Sequence, residues 1–423
     1  MNRQHVKYLI AGGGVAGSSA AEAIRRIDPV GSILFVGQEV NRPYNRPALS
    51  KGFLLRRTSR ADLTALPIGW YAERNIELRT GTRVTRLDAS RTCVSLDSGE
   101  EVSFDKLLLA TGANAKQLKI PGADLPNIYT LRTVGDADRL LHAIDTSKTN
   151  GHASCVVIGA GLLGTELAAT IAQAGLKVDL VESGQTPWPM LTGGITGQFI
   201  TRLLHNKGVA VHCGQSVEKL DGDGRVQLAF TSAGTVLHCD FVVAAVGIQV
   251  NRDILRGSPI AAETAVLVDD HCQTSVPGIY AAGDCAALLD PLFGKHRLID
   301  HWDNARVTGN LAGTNMAGGN DRYETVNHFW SEVFDQRGDI WGESKLVYRR
   351  LLRGLPGEAP VGNDFAEIGI AADGRVAQVI AFGRKQEHVL LNRLVAQRVR
   401  VDGNEEDFKD TTRPLTAVFG DKS

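Results

Sequence analysis

The chain has no excess of either charge. Its 423 residues carry 46 Lys and Arg against 47 Asp and Glu, a net charge of −1. Such a balance gives nothing to recruit nucleic acid or an anionic membrane surface. It also has no apolar run approaching the ~18–20 residues needed to cross a bilayer. Met1-Asn2-Arg3-Gln4-His5 leads straight into a strand-like Tyr8-Leu9-Ile10-Ala11, so no signal peptide is expected and the protein is expected to be cytoplasmic. There are only six cysteines, Cys93, Cys155, Cys213, Cys239, Cys272 and Cys285, and none stands in Cys-x-x-Cys or Cys-x-x-x-x-Cys spacing. A disulfide framework is therefore not expected. Three cysteines directly follow a histidine: His212-Cys213, His238-Cys239 and His271-Cys272. Neighbours on a strand face opposite sides, so ordinary packing is expected there and no metal site.

Apolar residues make up 43% and charged residues 22%, which excludes a disordered or collagen-like chain. At ~150 residues per domain the length suggests about three domains.

The chain contains an internal echo. Leu9-Ile10-Ala11 runs into Gly12-Gly13-Gly14-Val15-Ala16-Gly17, a G-x-G-x-x-G, followed by an Ala-rich helical stretch over 18–27, closed by Pro29 and Gly31, and a strand over 32–36. The same order recurs in Cys155-Val156-Val157-Ile158, then Gly159-Ala160-Gly161-Leu162-Leu163-Gly164. A helix is expected over 165–174, stopped by Gly175, and a strand over 178–181. Each copy opens a βαβ unit. The first glycine permits the tight turn, the second lets backbone approach a pyrophosphate, and the third lets helix pack on strand. Phosphates then lie at the helix N-terminus, where free N–H groups and the dipole favour anions. One such fingerprint is weak evidence; two in context predict an α/β fold that binds two dinucleotides.

The second copy's strand ends in Glu182, 18 residues after Gly164. A carboxylate there accepts hydrogen bonds from an adenosine ribose and repels a 2′-phosphate. Ser183-Gly184-Gln185-Thr186 offers no Arg to hold that phosphate, so NADH is expected over NADPH. In the first copy the matching position is Gln38 with Glu39 beside it, and either side chain can serve the ribose. Two strand ends complete the set: Leu107-Leu108-Leu109-Ala110-Thr111-Gly112, and Ile279-Tyr280-Ala281-Ala282-Gly283-Asp284. The Asp284 carboxylate suits a flavin's ribityl chain, and the glycines let backbone meet the cofactor.

This ordered set resembles the two-dinucleotide flavoproteins of the glutathione-reductase type. Arg42-Pro43-Tyr44-Asn45-Arg46-Pro47-Ala48-Leu49-Ser50-Lys51 narrows the likeness to NADH-dependent ferredoxin reductases that serve oxygenases, the putidaredoxin reductase type. The apoptosis-inducing factor group has a similar segment. Leu131-Arg132-Thr133, His301-Trp302-Asp303-Asn304-Ala305 and Phe329-Trp330-Ser331 agree, so the likeness runs from about residue 7 to residue 400. With no Cys before Cys93, the redox cysteines of the disulfide reductases have no counterpart, and electrons are expected to leave the flavin directly. Gln38 and Asn45 stand where acids are usual in the family.

The resemblance implies FAD and NADH as cofactors. It implies that Lys51 lies near the flavin, paired with Glu166 of the second fingerprint helix. It further implies that Arg46 and Arg132 contact FAD, that Val84 lies on the strand meeting the adenine, that Trp302 lies beside the isoalloxazine, and that Gly247 sits against the nicotinamide. Trp302 also admits a plain core role. Arg56-Arg57 and Arg349-Arg350 read either as solvated surface or as a docking patch for an acidic iron–sulfur protein.

The expected architecture is α/β: two Rossmann-like dinucleotide-binding domains and a C-terminal α/β domain. FAD falls to 1–118 with 246–320, NAD to 119–245, and a cap or dimerisation domain to 321–423, with a strand over 376–382 and a helix over 386–397. The expected function is electron transfer from NADH through FAD to a [2Fe–2S] ferredoxin of an oxygenase or P450 system, in a monomer or homodimer. Two other readings stay open: an NADH oxidase or small-molecule or quinone reductase, and a redox-sensing interaction protein like apoptosis-inducing factor.

Overall fold

A computed structural model describes residues 4–149, 151, 153–357 and 363–419. They fall into two compact units, one within 1–47, 59–114 and 248–327, the other within 48–58, 115–247 and 328–423.

The first unit is built on a parallel sheet ordered Ile76–Arg79, Ile33–Val36, Gln4–Ala11 and Glu101–Leu109, with Ile279–Ala281 pairing beside residues 107–109. Cys93–Leu96 and Val84–Asp88 extend it antiparallel. Tyr8 to Ala11 are at most 1% exposed, because both faces of the central strand are covered. One cover is the fingerprint helix Val15–Ile27, against which the helix Trp302–Met316 packs. A Cβ on Gly309 or Gly313 would overlap the backbone oxygens of Ala16 and Ala20, so small residues set how closely these helices approach.

The second unit contains a parallel sheet ordered Val209–Cys213, Lys177–Glu182, Ser154–Ile158, Phe241–Ala244 and Ile128–Tyr129. A three-stranded antiparallel sheet lies between residues 217 and 238. A five-stranded antiparallel sheet follows, ordered His328–Val333, Gln336–Gly342, Val376–Phe382, Asn363–Ala371 and Val347–Pro356. Val376–Phe382 is buried at every residue, covered partly by the helix His388–Ala396. The helix begins two residues later than expected, because residues 385–387 form a 3-10 turn instead. Both fingerprint helices start three residues earlier than expected, at Val15 and Leu162. Gly14 and Gly161 are their extended N-caps, so the third glycine of each fingerprint belongs to the first helical turn.

Side chains of the antiparallel sheet hold the parallel part of this unit. Phe199, on the helix Gly194–Asn206, lies 4.9 Å from the ring of Phe382 and 5.2 Å from that of Phe365. Glu367, 1% exposed, accepts from the N–H groups of Gly193 (2.7 Å) and Thr196 (3.1 Å) and from the Thr196 hydroxyl. It thus caps that helix from a neighbouring strand, where the helix dipole favours a negative charge. Arg350 meets Glu367 at 3.1 Å and donates to Gln378 Oε1 and Leu191 O. Arg349 pairs with Asp402 and Glu405, and Arg56 with Asp145. Arg350 is thus packed against the buried Glu367, whereas Arg349 stays about a third exposed in its surface pairs with Asp402 and Glu405. Of the His-Cys pairs, only His212-Cys213 lies wholly on a strand. His271-Cys272 sits in a turn where Cys272 takes a left-handed φ of 62°, so strand alternation does not apply to it. Among the described residues, no helix is long and apolar enough to cross a membrane.

Arg353, wholly buried, forks onto Glu387 at 2.7–3.2 Å and donates to the carbonyls of Phe408, Asp410 and Arg413, tying the last residues to the sheet. Burial alone would raise the Glu387 carboxyl, but Arg384 and Arg353 override it and hold it down at about 2, from 4.5. A depressed carboxylate contributes stability above its ordinary value and loses it as pH falls toward the depressed one. Denaturant titrations between pH 5 and 2 should show the wild type losing stability over that window. Glu387→Gln should be less stable at pH 7 and lose less of what remains over the same window.

Candidate active site

In the first unit, Gly12 turns the chain out of its strand with a φ of 136°, and a Cβ there would overlap Ala110 O. A Cβ on Gly17 would lie 2.5 Å from Gly12 O and 2.8 Å from the Phe35 ring. Between them Gly14 faces open space, with nothing within 4 Å of its Cβ position. The peptide after Leu109 closes against this turn: Ala110 N donates to Ala11 O, and Ala282 N to Leu109 O. Thr111 is exposed there and Gly112 half-buried. Gly283 lies against Ala16, its N–H donating to the Thr308 hydroxyl, which places Asp284 beside the helix N-terminus. Ala16 is 5% exposed and packed on by Gly283 and Gly309, so its place is as a helix-packing residue.

Past the second strand, Glu39 is held by Arg46 at 2.7 Å and by the Tyr44 hydroxyl at 2.6 Å, while Gln38 is exposed. Gly81 N donates to Glu39 O and Thr82 N to Gly37 O, which brings the turn before Val84 against the backbone that follows the second strand, while Val84 itself pairs with Leu96. Trp302 donates through its indole N–H to Asn45 Oδ1 at 3.0 Å, so an amide at residue 45 accepts where an acid is usual in the resembled family.

The second unit repeats the construction. Gly159 takes a φ of 95° with its Cβ position 2.6 Å from Ala245 O; a Cβ on Gly164 would overlap Gly159 O; Gly161 again faces open space. Glu182 is 7% exposed rather than solvated. Its carboxylate accepts from Ala160 N at 2.6 Å and Gly184 N at 2.7 Å. Leu163, at the helix start, is 36% exposed. Gly247 follows the neighbouring strand and its carbonyl accepts from Lys116 N. Arg132 precedes the helix Val134–Thr149, whose start is fixed by a reciprocal box: Thr133 N donates to Asp136, and Asp136 N to the Thr133 hydroxyl.

Lys51 lies on a π-helical turn over Leu49–Phe53 that packs in the second unit, and its ammonium lies 2.8 Å from Glu166. Wide turns of this kind concentrate at functional sites. Glu166 also accepts from the hydroxyls of Ser50 (2.6 Å) and Ser331 (2.8 Å) and from Glu332 N (3.2 Å). The carboxylate's residue is 6% exposed, and these donors take the place of the water that burial removes from it. Neither serine was singled out from sequence, although both stand within motifs that were. The signal was adjacency, Ser50 next to Lys51 and Ser331 next to Trp330.

Two cradles of one build define the class: an α/β chain folded around two dinucleotide sites. Residues 6–309 match the pyridine nucleotide-disulphide oxidoreductase family, to which the chain belongs. It is 32% identical over 398 residues to the benzene 1,2-dioxygenase system ferredoxin–NAD(+) reductase subunit of Pseudomonas putida, covering 93% of each chain. It is 30% identical over 394 residues to rhodocoxin reductase of Rhodococcus erythropolis, covering 92% of this chain and 90% of that one. Of solved structures, the ferredoxin reductase for the CYP199A2 system from Rhodopseudomonas palustris superposes with a TM-score of 0.90 at 27% identity, covering 98% of this chain and all of that one. Putidaredoxin reductase in covalent complex with putidaredoxin also gives 0.90 at 27% identity, covering 99% and 98%.

Replacing Glu166 by Ala would remove the carboxylate shared by the Lys51 ammonium, two hydroxyls and one N–H. Removing one partner of a buried pair costs roughly 3–5 kcal/mol, and urea titration of Glu166→Ala should show a loss of that size. Glu166→Gln, which keeps an acceptor, should lose less.

Proposed function

We propose that this protein is an NADH-dependent flavoprotein reductase, holding FAD in the first cradle and NADH in the second, that delivers electrons to a small [2Fe–2S] ferredoxin of an oxygenase or P450 system. The observation that carries this reading is the matched pair of glycine cradles, each walled by clashing Cβ positions at its first and third glycines and open at its second. That is the shape a pyrophosphate requires, and the donor set around each fits a dinucleotide. The relatives' names direct the choice of acceptor. We assign FAD to 1–118 with 246–320, NADH to 119–245 and a cap or dimerisation role to 321–423, in a cytoplasmic protein.

When bound, NADH would supply one hydride, that is two electrons, and FAD the means of releasing them one at a time. The protein's share is position and charge. The backbone of residues 12–17 and 159–164 holds pyrophosphates, Glu39 and Glu182 meet the riboses, and Val84 lines the adenine. By the resemblance, Arg46, Ala110, Thr111, Gly112, Gly283, Asp284 and Trp302 would hold the flavin, Arg132 would contact FAD, and Gly247 would meet the nicotinamide. Lys51, paired with Glu166, would supply a positive charge that favours a reduced flavin. A thiol relay has no support, since burial pushes Cys155 well up, Cys213 to about 11 and Cys239 to about 12, leaving little thiolate at neutral pH.

The decisive experiment is to reduce the flavin-loaded protein anaerobically with one equivalent of NADH, then mix it with air-saturated buffer or with a [2Fe–2S] ferredoxin. Slow reoxidation by air, over minutes, and fast reoxidation by ferredoxin are expected. Reoxidation by air within a second would instead identify an oxidase or small-molecule reductase. A long-lived charge-transfer band that ferredoxin does not discharge would identify a redox-sensing protein. Protein purified without flavin would end the proposal. Lys51→Ala should slow flavin reduction by NADH at least tenfold or lower the flavin potential. Glu182→Ala should narrow the preference for NADH over NADPH by about tenfold, since one charge repulsion of roughly 1.4 kcal/mol is tenfold in binding.

A further inference from the structure

Trp188 combines four properties that no sequence motif indicated. It takes a left-handed backbone, φ 56°, which a bulky L side chain rarely adopts. It is 1% exposed. Each of its polar groups is used within the unit: its backbone N–H donates to Ala160 O (2.8 Å), its indole N–H to the Thr165 hydroxyl (2.9 Å), and its carbonyl accepts from Leu191 N and Thr192 N. Its ring stacks on Phe382 of the antiparallel sheet, centroids 5.9 Å apart at 23°. Backbone held in a disfavoured region persists where surrounding contacts over-determine it, and such residues cluster at functional sites.

What these contacts hold is the second cradle. Ala160 is the middle residue of Gly159-Ala160-Gly161. Its N–H is taken by Glu182 and its C=O by Trp188 N. The Ala160 carbonyl and the Gly161 N–H belong to one planar trans peptide and point in opposite directions. Anchoring the carbonyl on Trp188 therefore fixes where the Gly161 N–H aims, and Gly161 is the glycine that faces open space. The Thr165 hydroxyl that accepts from the indole lies within reach of both Gly161 O (3.1 Å) and Leu162 O (3.0 Å), so the same side chain restrains the helix start as well.

We propose that Trp188 is a positioning residue for nucleotide binding: it pre-sets the Gly161 peptide and the first turn of the second fingerprint helix, using Phe382 as its backing. This rests on the second cradle holding NADH. Preorganised donors bind without the cost of ordering them, so loosening them weakens affinity with no contact to ligand removed.

The test uses full-length, FAD-loaded protein and measures NAD⁺ binding by calorimetry, together with the melting temperature and flavin content. Trp188→Phe keeps the stacked ring but loses the indole donor; Thr165→Val loses the acceptor. Losing a hydrogen bond of this kind should raise the NAD⁺ Kd about 5- to 10-fold in each variant. Flavin content should stay at the wild-type level, and the limiting rate of flavin reduction should fall by less than Kd rises. The double variant should weaken binding little more than Thr165→Val alone, because the indole hydrogen bond is already lost in that variant. Variants that bind NAD⁺ within twofold of wild type, even with lowered melting temperatures, would make Trp188 a packing residue only and overturn the proposal, as would additive effects in the double variant. Should Trp188→Phe not fold, Thr165→Val decides alone. Wild-type protein that binds no NAD⁺ would instead overturn the functional reading beneath it.

Discussion

Each cradle depends on how close a helix N-terminus comes to the strand that precedes it. At Gly17 and Gly164 the approach leaves no room for a single carbon, because the carbonyl of the first glycine lies where a Cβ would stand. That contact pulls the first helical turn, with its unpaired N–H groups, up to the strand end. The neighbouring strands' termini, at Ala110 and Ala245, then close the other side. The opening that remains lies at the second glycine, and its chemistry is that of an anion site: backbone donors, a dipole's positive end and no side chain. In the first unit the constraint propagates outward, since the helix so placed meets a second helix through Gly309 and Gly313.

Buried carboxylates do much of the remaining organisation. Glu166, Glu182 and Glu367 each lie below 10% exposure, and each accepts at least two hydrogen bonds from backbone N–H groups, hydroxyls or a cation. A desolvated charge is tolerable only when so satisfied. In return each fixes a piece of backbone or a cation: Glu182 the fingerprint turn, Glu367 a helix start, Glu166 the Lys51 ammonium. Glu182, proposed above to meet the ribose, thus also orients the fingerprint turn.

The antiparallel sheet supplies more than a cap to its unit. Ser331 and Glu332 reach Glu166, Glu367 and Arg350 reach the loop before residue 194, and Phe382 backs Trp188. The parallel-sheet half of the unit is thus held by groups on strands 159 to 194 residues further along the chain.

The pairing of Lys51 with Glu166 was implied by the family resemblance; the sequence by itself determined the two βαβ openings, the order of their strands and the three roles of the fingerprint glycines. These follow from local spacing or from a motif whose residue types leave few alternatives, and glycine is informative because nothing else fits. The fingerprint helices start three residues before the sequence pattern suggests because the cap is a glycine without a capping side chain, which leaves no polar signature. Only the tertiary structure decided which donors surround Glu166, why Glu39 rather than Gln38 is anchored, why Arg350 is interior, and that Trp188 grips the second cradle. Each of those is set by contact between segments far apart in the chain. The free energy of burying a charge or holding a disfavoured backbone depends on what has been brought against it, and no local pattern records that.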